Sequence, residues 1–179
     1  MIPANFIQQV PNEIPLLIDT GTVPEGFHKV SIGDDILGWE HLTYWENMEK
    51  LNENRVVAIN IGKEIASCDN IDGLMTISYS RLTHMGMMFI TAPYWTSSDW
   101  ANDPRNINRI NEYMFGYYSN EWRKSRNMEQ TNINFELVGL KWTFYPEWEN
   151  RSDEAKKWAK EHYLNVIQSL HFVLRAIKA

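Results

Sequence analysis

Apolar residues recur along the end of the chain at a helical period. Ala159, Tyr163, Val166, Leu170, Val173 and Ile177 fall 4, 3, 4, 3 and 4 residues apart, and Ile167 and Leu174 widen the stripe. That spacing predicts a helix over 152–178, roughly 40 Å long at about 1.5 Å per residue. Ser152 is its expected N-cap, and Asp153 and Glu154 place negative charge in the first turn, where the helix dipole favours it. A second helix is expected over 103–125. Asp103-Pro104 is a cap followed by proline at the first helical position, and Ile107, Ile110, Met114 and Tyr117 follow at helical spacing, with Gly116 a tolerated weak point.

Elsewhere the period is two. Leu16-Leu17-Ile18 and Phe27 to Ile32 read as short strands of a meander, separated by the turn Pro24-Glu25-Gly26. The segment 38–51 suits either a strand to Tyr44 followed by a helical turn or a helix carrying Leu42, Trp45 and Met48. From Val56 the alternation is clear, with Val57, Ile59 and Ile61 on one side. Asp69-Asn70-Ile71-Asp72-Gly73 reads as a turn, and Met75, Ile77 and Tyr79 as a strand with one wet face. Met87 to Ala92 is apolar on both faces and therefore central, and Pro93 ends it. In 132–148 the apolar parity switches at Val138-Gly139. A one-residue bulge there keeps Phe135, Leu137, Leu140, Trp142 and Phe144 on one face, which places Trp142 in the core. The expected fold class is α+β: one domain over 1–179, a largely antiparallel sheet of about five to seven strands, and the helices 103–125 and 152–178 packed on it. A small sandwich with helices on both faces is the alternative.

Charge changes the picture more than composition does. Residues 1–54 hold nine acids against Lys29 and Lys50, a balance of −7, while residues 55–179 hold 14 acids and 15 bases, a balance of +1. A segregated acidic field discourages nucleic acid and favours a basic protein or a cationic ligand. No segment approaches the roughly 20 apolar residues of a membrane helix, and Met1-Ile2-Pro3-Ala4-Asn5 has no secretory character. A cytoplasmic protein with no membrane partner is expected. Cys68 is the lone cysteine, so neither an internal disulfide nor a multi-cysteine zinc site can form.

Familiar chemistry is hard to find. The five histidines show no ligand spacing, and Ile71 breaks the alternating oxygen pattern that a calcium loop would need. There is no nucleophile elbow and no glycine-rich phosphate loop. Asp99 and Asp103 could be a carboxylate pair, although one-turn spacing at a helix start is more simply capping. No catalytic residue, metal site or cofactor is therefore expected. The candidate partner-binding residues are the acids Asp34, Asp35, Glu40, Glu46, Glu49 and Glu53, with Tyr94, Trp95 and Trp100 of the loop after the central strand.

In overall character (small, acidic, α+β and without a catalytic motif) the chain resembles bacterial toxin-immunity proteins. That resemblance implies a non-catalytic inhibitor whose acids occlude the basic cleft of a cognate toxin domain, with electrostatics speeding association. The tail Val166-Ile167-Gln168-Ser169-Leu170 resembles PsbP-like chaperone domains, which implies no catalysis either. Two other classes remain open on the residues themselves. One is a small hydrolase or transferase with its groups scattered in sequence; the other is a sugar or small-molecule binder using the Trp-rich loop 94–103.

Overall fold

The computed structural model of the chain describes residues 16–18, 28–30 and 56–178, with side chains from residue 58 onward. Its strands are β1 (Leu16–Ile18), β2 (His28–Val30), β3 (Val56–Ile61), β4 (Leu82–Pro93), β5 (Phe135–Phe144) and β6 (Ile167–Ala176). The helices are α1 (Ile71–Arg81), α2 (Ser98–Ala101), α3 (Asn120–Ser125), α4 (Pro146–Glu149) and α5 (Asp153–His162), with 3-10 turns at Lys63–Ser67 and Met114–Tyr118.

The strands form one sheet in the order β2-β1-β3-β4-β6-β5. β1 pairs in parallel with both β2 and β3, and β3 pairs in parallel with β4 through Ile59↔Met88 and Ile61↔Ile90. Among the described strands only β6 runs the other way, antiparallel to β4 and to β5. The sheet is thus mixed, which corrects the expected largely antiparallel α+β fold and the expected meander of β1 and β2. For β3 and β4 the reason is the connection between them. Parallel neighbours need a crossover of a dozen or more residues, and 62–81 supply one that contains α1.

That helix occupies the stretch expected to be a strand at Met75, Ile77 and Tyr79. Asn70 is its N-cap, its side chain accepting from the Gly73 amide at 2.9 Å, and the helix buries Ile71, Leu74, Met75 and Ser78 on one side. Of the expected helix over 103–125 only the last turns, Asn120–Ser125, are α-helical. Earlier in the segment the backbone is used elsewhere: the amides of Ile107 and Asn108 both donate to the Ala66 carbonyl at 2.9 Å, and the Ile110 carbonyl accepts from Trp95. Tertiary hydrogen bonds have claimed groups that a helical ladder would need. Gly116 lies in a 3-10 turn, where an added Cβ would stand 2.8 Å from the Trp122 indole, so close ring packing is what excludes a side chain there.

The expected helix over 152–178 is divided. Ser152 does cap it, accepting from the Ala155 amide at 3.3 Å, but the helix stops at His162. Asn165 then takes φ 55° and donates its amide to Thr96, which turns the chain back into β6. Within β6, Leu170, Phe172, Leu174 and Ala176 are buried at a strict period of two. The same letters satisfy both periods, and only the strand lets these four face Met88, Ile90 and Ala92 of β4. In β5 the register shifts between Leu137 and Gly139, at the position where the apolar parity switches.

The core gathers on this face of the sheet, from Ile59 and Ile61 through Leu82, Met88 and Ile90 to Phe135, Phe172 and Leu174. Phe172 stacks edge-to-face on Phe115, ring centroids 4.7 Å apart, and so fastens the 3-10 turn at Met114–Tyr118 to the sheet. Phe172→Ala is expected to lower stability by about 3–5 kcal/mol, measured by urea denaturation; a loss under about 1 kcal/mol would contradict this packing.

Candidate functional site

In an open sheet with parallel strands, ligands gather outside the carboxyl ends of the strands, beside the point where the chain reverses its direction of growth across the sheet. Here the order β2-β1-β3 places that reversal between β1 and β3. A crevice of about 750 Å³ opens at the carboxyl ends of the neighbouring β3 and β4. The 3-10 turn after β3 contributes Lys63, Glu64 and Ser67, and the end of β4 contributes Thr91, Ala92 and Pro93. Asp99 and Asp103 come from α2 and the loop beyond it, and Gln168 and Ser169 from the start of β6.

Asp99 is held by neutral donors. Its Oδ1 accepts from the Tyr145 hydroxyl at 3.1 Å and its Oδ2 from Gln168 Nε2 at 2.9 Å. The Tyr145 oxygen also lies 2.8 Å from Ser98 Oγ and accepts from the Asp99 amide at 3.3 Å. The side chain of Asn165 accepts from the Ser98 amide, so the turn between α5 and β6 fixes the start of α2. A carboxylate has about four lone-pair sites, so these two contacts do not exhaust Asp99, which lines the crevice. Asp103 is engaged differently. Side-chain and backbone hydrogen bonds from Arg105 hold its carboxyl down at about 2, with Lys63 adding a smaller pull.

Behind Thr91 and Ser169 lies a polar cluster on the sheet face opposite the core. His171 is the register partner of Thr91 and of Lys141, so the three share that face. Its Nδ1 lies 3.1 Å from Thr91 Oγ1, and its Nε2 lies 2.8 Å from Thr143 Oγ1 and 3.3 Å from Ser169 Oγ. Burial, helped by the Lys141 charge, holds its imidazole below the ordinary value of 6.5.

The candidate residues from the sequence fare unevenly. Asp34, Asp35, Glu40, Glu46, Glu49 and Glu53 lie outside the described residues. Tyr94 is buried, and its hydroxyl donates to Glu112 Oε2 at 3.2 Å. Burial, with that carboxylate beside it, pushes the Tyr94 hydroxyl up to about 12. Trp100 is half-buried and donates its indole N–H to the Asn108 carbonyl at 2.8 Å. Trp95 is exposed. Glu112 in turn pairs with Lys160 of α5 at 2.9 Å, so Tyr94, Glu112 and Lys160 tie the loop after β4 to that helix. Burial raises the Glu112 carboxyl, but its hydrogen bonds and the Lys160 charge outweigh this and leave it below the ordinary carboxylate value. Cys68, whose thiol is pushed up by burial, has the character of a structural residue. Of the crevice residues, the sequence marks Asp99 and Asp103 as candidates but not Lys63, Glu64, Gln168 and Ser169. Reading Leu170, Phe172, Leu174 and Ala176 at period two would have put Gln168 and Ser169 at a strand start. Among the described residues no group of three or more His, Cys, Asp and Glu could hold a metal ion, and no helix is long and apolar enough to cross a membrane.

No protein-family profile matches the chain, and no curated protein does. Solved structures do. A SAM-dependent methyltransferase from Archaeoglobus fulgidus superposes with a TM-score of 0.60 over 96% of this chain and 90% of that one, at 15% identity. The YcgJ protein from Bacillus subtilis matches 87% of this chain and 73% of its own at 11% identity, but its TM-score of 0.44 leaves the comparison resting on the archaeal structure. The fold is therefore methyltransferase-like. It displaces the resemblances to toxin-immunity proteins and to PsbP-like domains, and with them the expectation of a non-catalytic toxin inhibitor.

Two consequences concern stability. Glu112→Gln leaves Lys160 half-buried without its counter-charge and is expected to cost about 1–3 kcal/mol, less than a fully buried pair. Because the folded carboxyl is depressed, its contribution is present above the unfolded value and lost as pH falls through the folded one. The variant should therefore lose less stability than the parent on acidification, read by denaturant titration across the acid range. His171 is likewise depressed, so the unfolded chain takes up its proton first. Stability should fall as pH drops below about 6.5, and His171→Gln should flatten that slope; an unchanged slope would show that the imidazole is not held neutral.

Proposed function

We propose that this chain binds S-adenosylmethionine along the carboxyl edge of its parallel strands and passes the methyl group to a small acceptor in the crevice. The observation that carries this reading is the placement of the crevice at the carboxyl ends of β3 and β4, in a fold that superposes on a SAM-dependent methyltransferase over nearly its whole length.

The groups present suit such a ligand. S-adenosylmethionine has an ammonium, a carboxylate, a ribose diol and a sulfonium, and no phosphate. The lack of a glycine-rich phosphate loop is therefore no mismatch. The crevice offers Asp99 and Glu64 to cationic and hydroxyl groups, Lys63 to a carboxylate, and the Gln168 amide and Ser169 hydroxyl to either. Its volume lies within the usual range for a site that engulfs a small molecule. When bound, S-adenosylmethionine supplies a methyl group on positively charged sulfur, activated towards a nucleophile. What this chain's residues do is position. Asp99, fixed by Tyr145 and Gln168, accepts a hydrogen bond from an N–H or O–H of the acceptor and orients its lone pair. Thr91 and Ser169 offer hydroxyls along the crevice floor, both backed by His171. The Arg105 pairing leaves Asp103 ionised and less available.

Titration calorimetry tests this directly. S-adenosylmethionine and S-adenosylhomocysteine should each bind at one site, whereas ATP and NAD, which need a phosphate cradle, should not. Saturating either ligand at about 100 times its Kd should add about 2.7 kcal/mol of stability. Asp99→Asn should slow methyl transfer, once an acceptor is found, by about 100-fold while the fold stays intact. Absence of binding by both adenosyl compounds at millimolar concentration would end the proposal.

A further inference from the structure

On the core side of β5 a second hollow, of about 470 Å³, lies between the strand and α5. Its floor is Trp142 and Phe144, and its wall is Asp153, Lys156, Lys157 and Lys160. Parity on the strand places Trp142 among core residues, yet it is 38% exposed and borders the hollow. An aromatic surface left wet in this way gains from being covered by an apolar ring.

The charge of the hollow runs against that of the chain. The protein carries −6 overall, whereas the hollow gathers three lysines against one aspartate. Lys160 is already paired with Glu112. Lys156 and Lys157 have no ion pair among the described residues. Two ammonium groups also lie over the rings: Lys156 Nζ is 5.0 Å from the Phe144 centroid, and Lys160 Nζ is 5.2 Å from that of Trp142. A neutral aromatic would meet the rings but leave Lys156 and Lys157 without a counter-charge. An anion without a ring would meet those lysines and leave the indole wet. A flat ring bearing an acid group satisfies both, with ring against ring and the acid between two ammonium groups.

We propose that the hollow between β5 and α5 is a binding site for a small aromatic acid, its ring on Trp142 and Phe144 and its anionic group between Lys156 and Lys157. The site is separate from the crevice and does not rest on the methyltransferase reading.

Three probes differ by one property each: 1-naphthoate has ring and charge, 1-naphthamide the ring without the charge, and inorganic phosphate the charge without the ring. Titration of the full chain followed by NMR or calorimetry should show 1-naphthoate binding at one site. The amide should bind at least about tenfold more weakly, and phosphate should neither bind comparably nor displace naphthoate. The double variant Lys156→Gln, Lys157→Gln should weaken naphthoate at least about tenfold and leave the amide unchanged, while Trp142→Leu should weaken both. Thermal melts confirm folding, and if Trp142→Leu does not fold, the exposed lysine variant decides. The proposal is overturned if naphthoate does not bind, if acid and amide bind alike, if phosphate competes on equal terms, or if the lysine variant keeps its affinity for naphthoate.

Discussion

The antiparallel pairing of β4 with β6 is the constraint on which the described structure depends. It runs from Met87↔Arg175 to Pro93↔Ser169 and continues in the hydrogen bond from the Tyr94 amide to the Gln168 carbonyl. On one face it sets Met88, Ile90 and Ala92 against Leu174, Phe172 and Leu170, the centre of the core. On the other it sets Thr91 against His171, a polar pair in a sheet whose opposite side is dry. A slip of one residue would exchange the two faces, burying His171 and wetting Phe172. The register is thus fixed from both sides at once.

The same pairing assembles the crevice. Because β6 enters where β4 leaves, Gln168 and Ser169 stand beside Thr91 and Pro93 although they are distant in sequence. β5 runs parallel to β4, so its end delivers Tyr145 to Asp99. The left-handed turn at Asn165 makes this possible, since it reverses the chain after α5 and braces α2 through Ser98. Polar groups that bind ligands are commonly carried on loops held by a rigid scaffold. Here the scaffold is the central strand pair, and the loops are the ends of β3, β4 and β5.

The tie between Tyr94, Glu112 and Lys160 has a second consequence. It anchors α5 to the loop after β4 and leaves Trp142 partly exposed. The helix is held by a charge pair at one side and packs on its own Ala159, which is fully buried. Lys156 and Lys160 are thereby carried over Phe144 and Trp142, with Lys157 beside them on the wall of the hollow.

The sequence by itself determined the elements whose pattern admits one period. The alternation Val57, Ile59, Ile61 is β3, the doubly apolar run at Met87–Ala92 is the central β4, Ser152 is a cap, and the parity switch at Val138-Gly139 is the register shift in β5. Where two periods fit, tertiary contacts chose. Residues 166–177 satisfy a helix and a strand equally, and β6 exists because β4 and β5 offer it hydrogen bonds and apolar partners on both sides. The segment 103–118 carries helical spacing, but Ala66 and Trp95 take its backbone groups. Direction is likewise invisible to hydrophobic period: an alternating run reads the same whether its neighbour lies parallel or antiparallel. The crossover through α1 fixed β3 parallel to β4, and with it the carboxyl edge at which Lys63, Thr91, Asp99 and Gln168 meet.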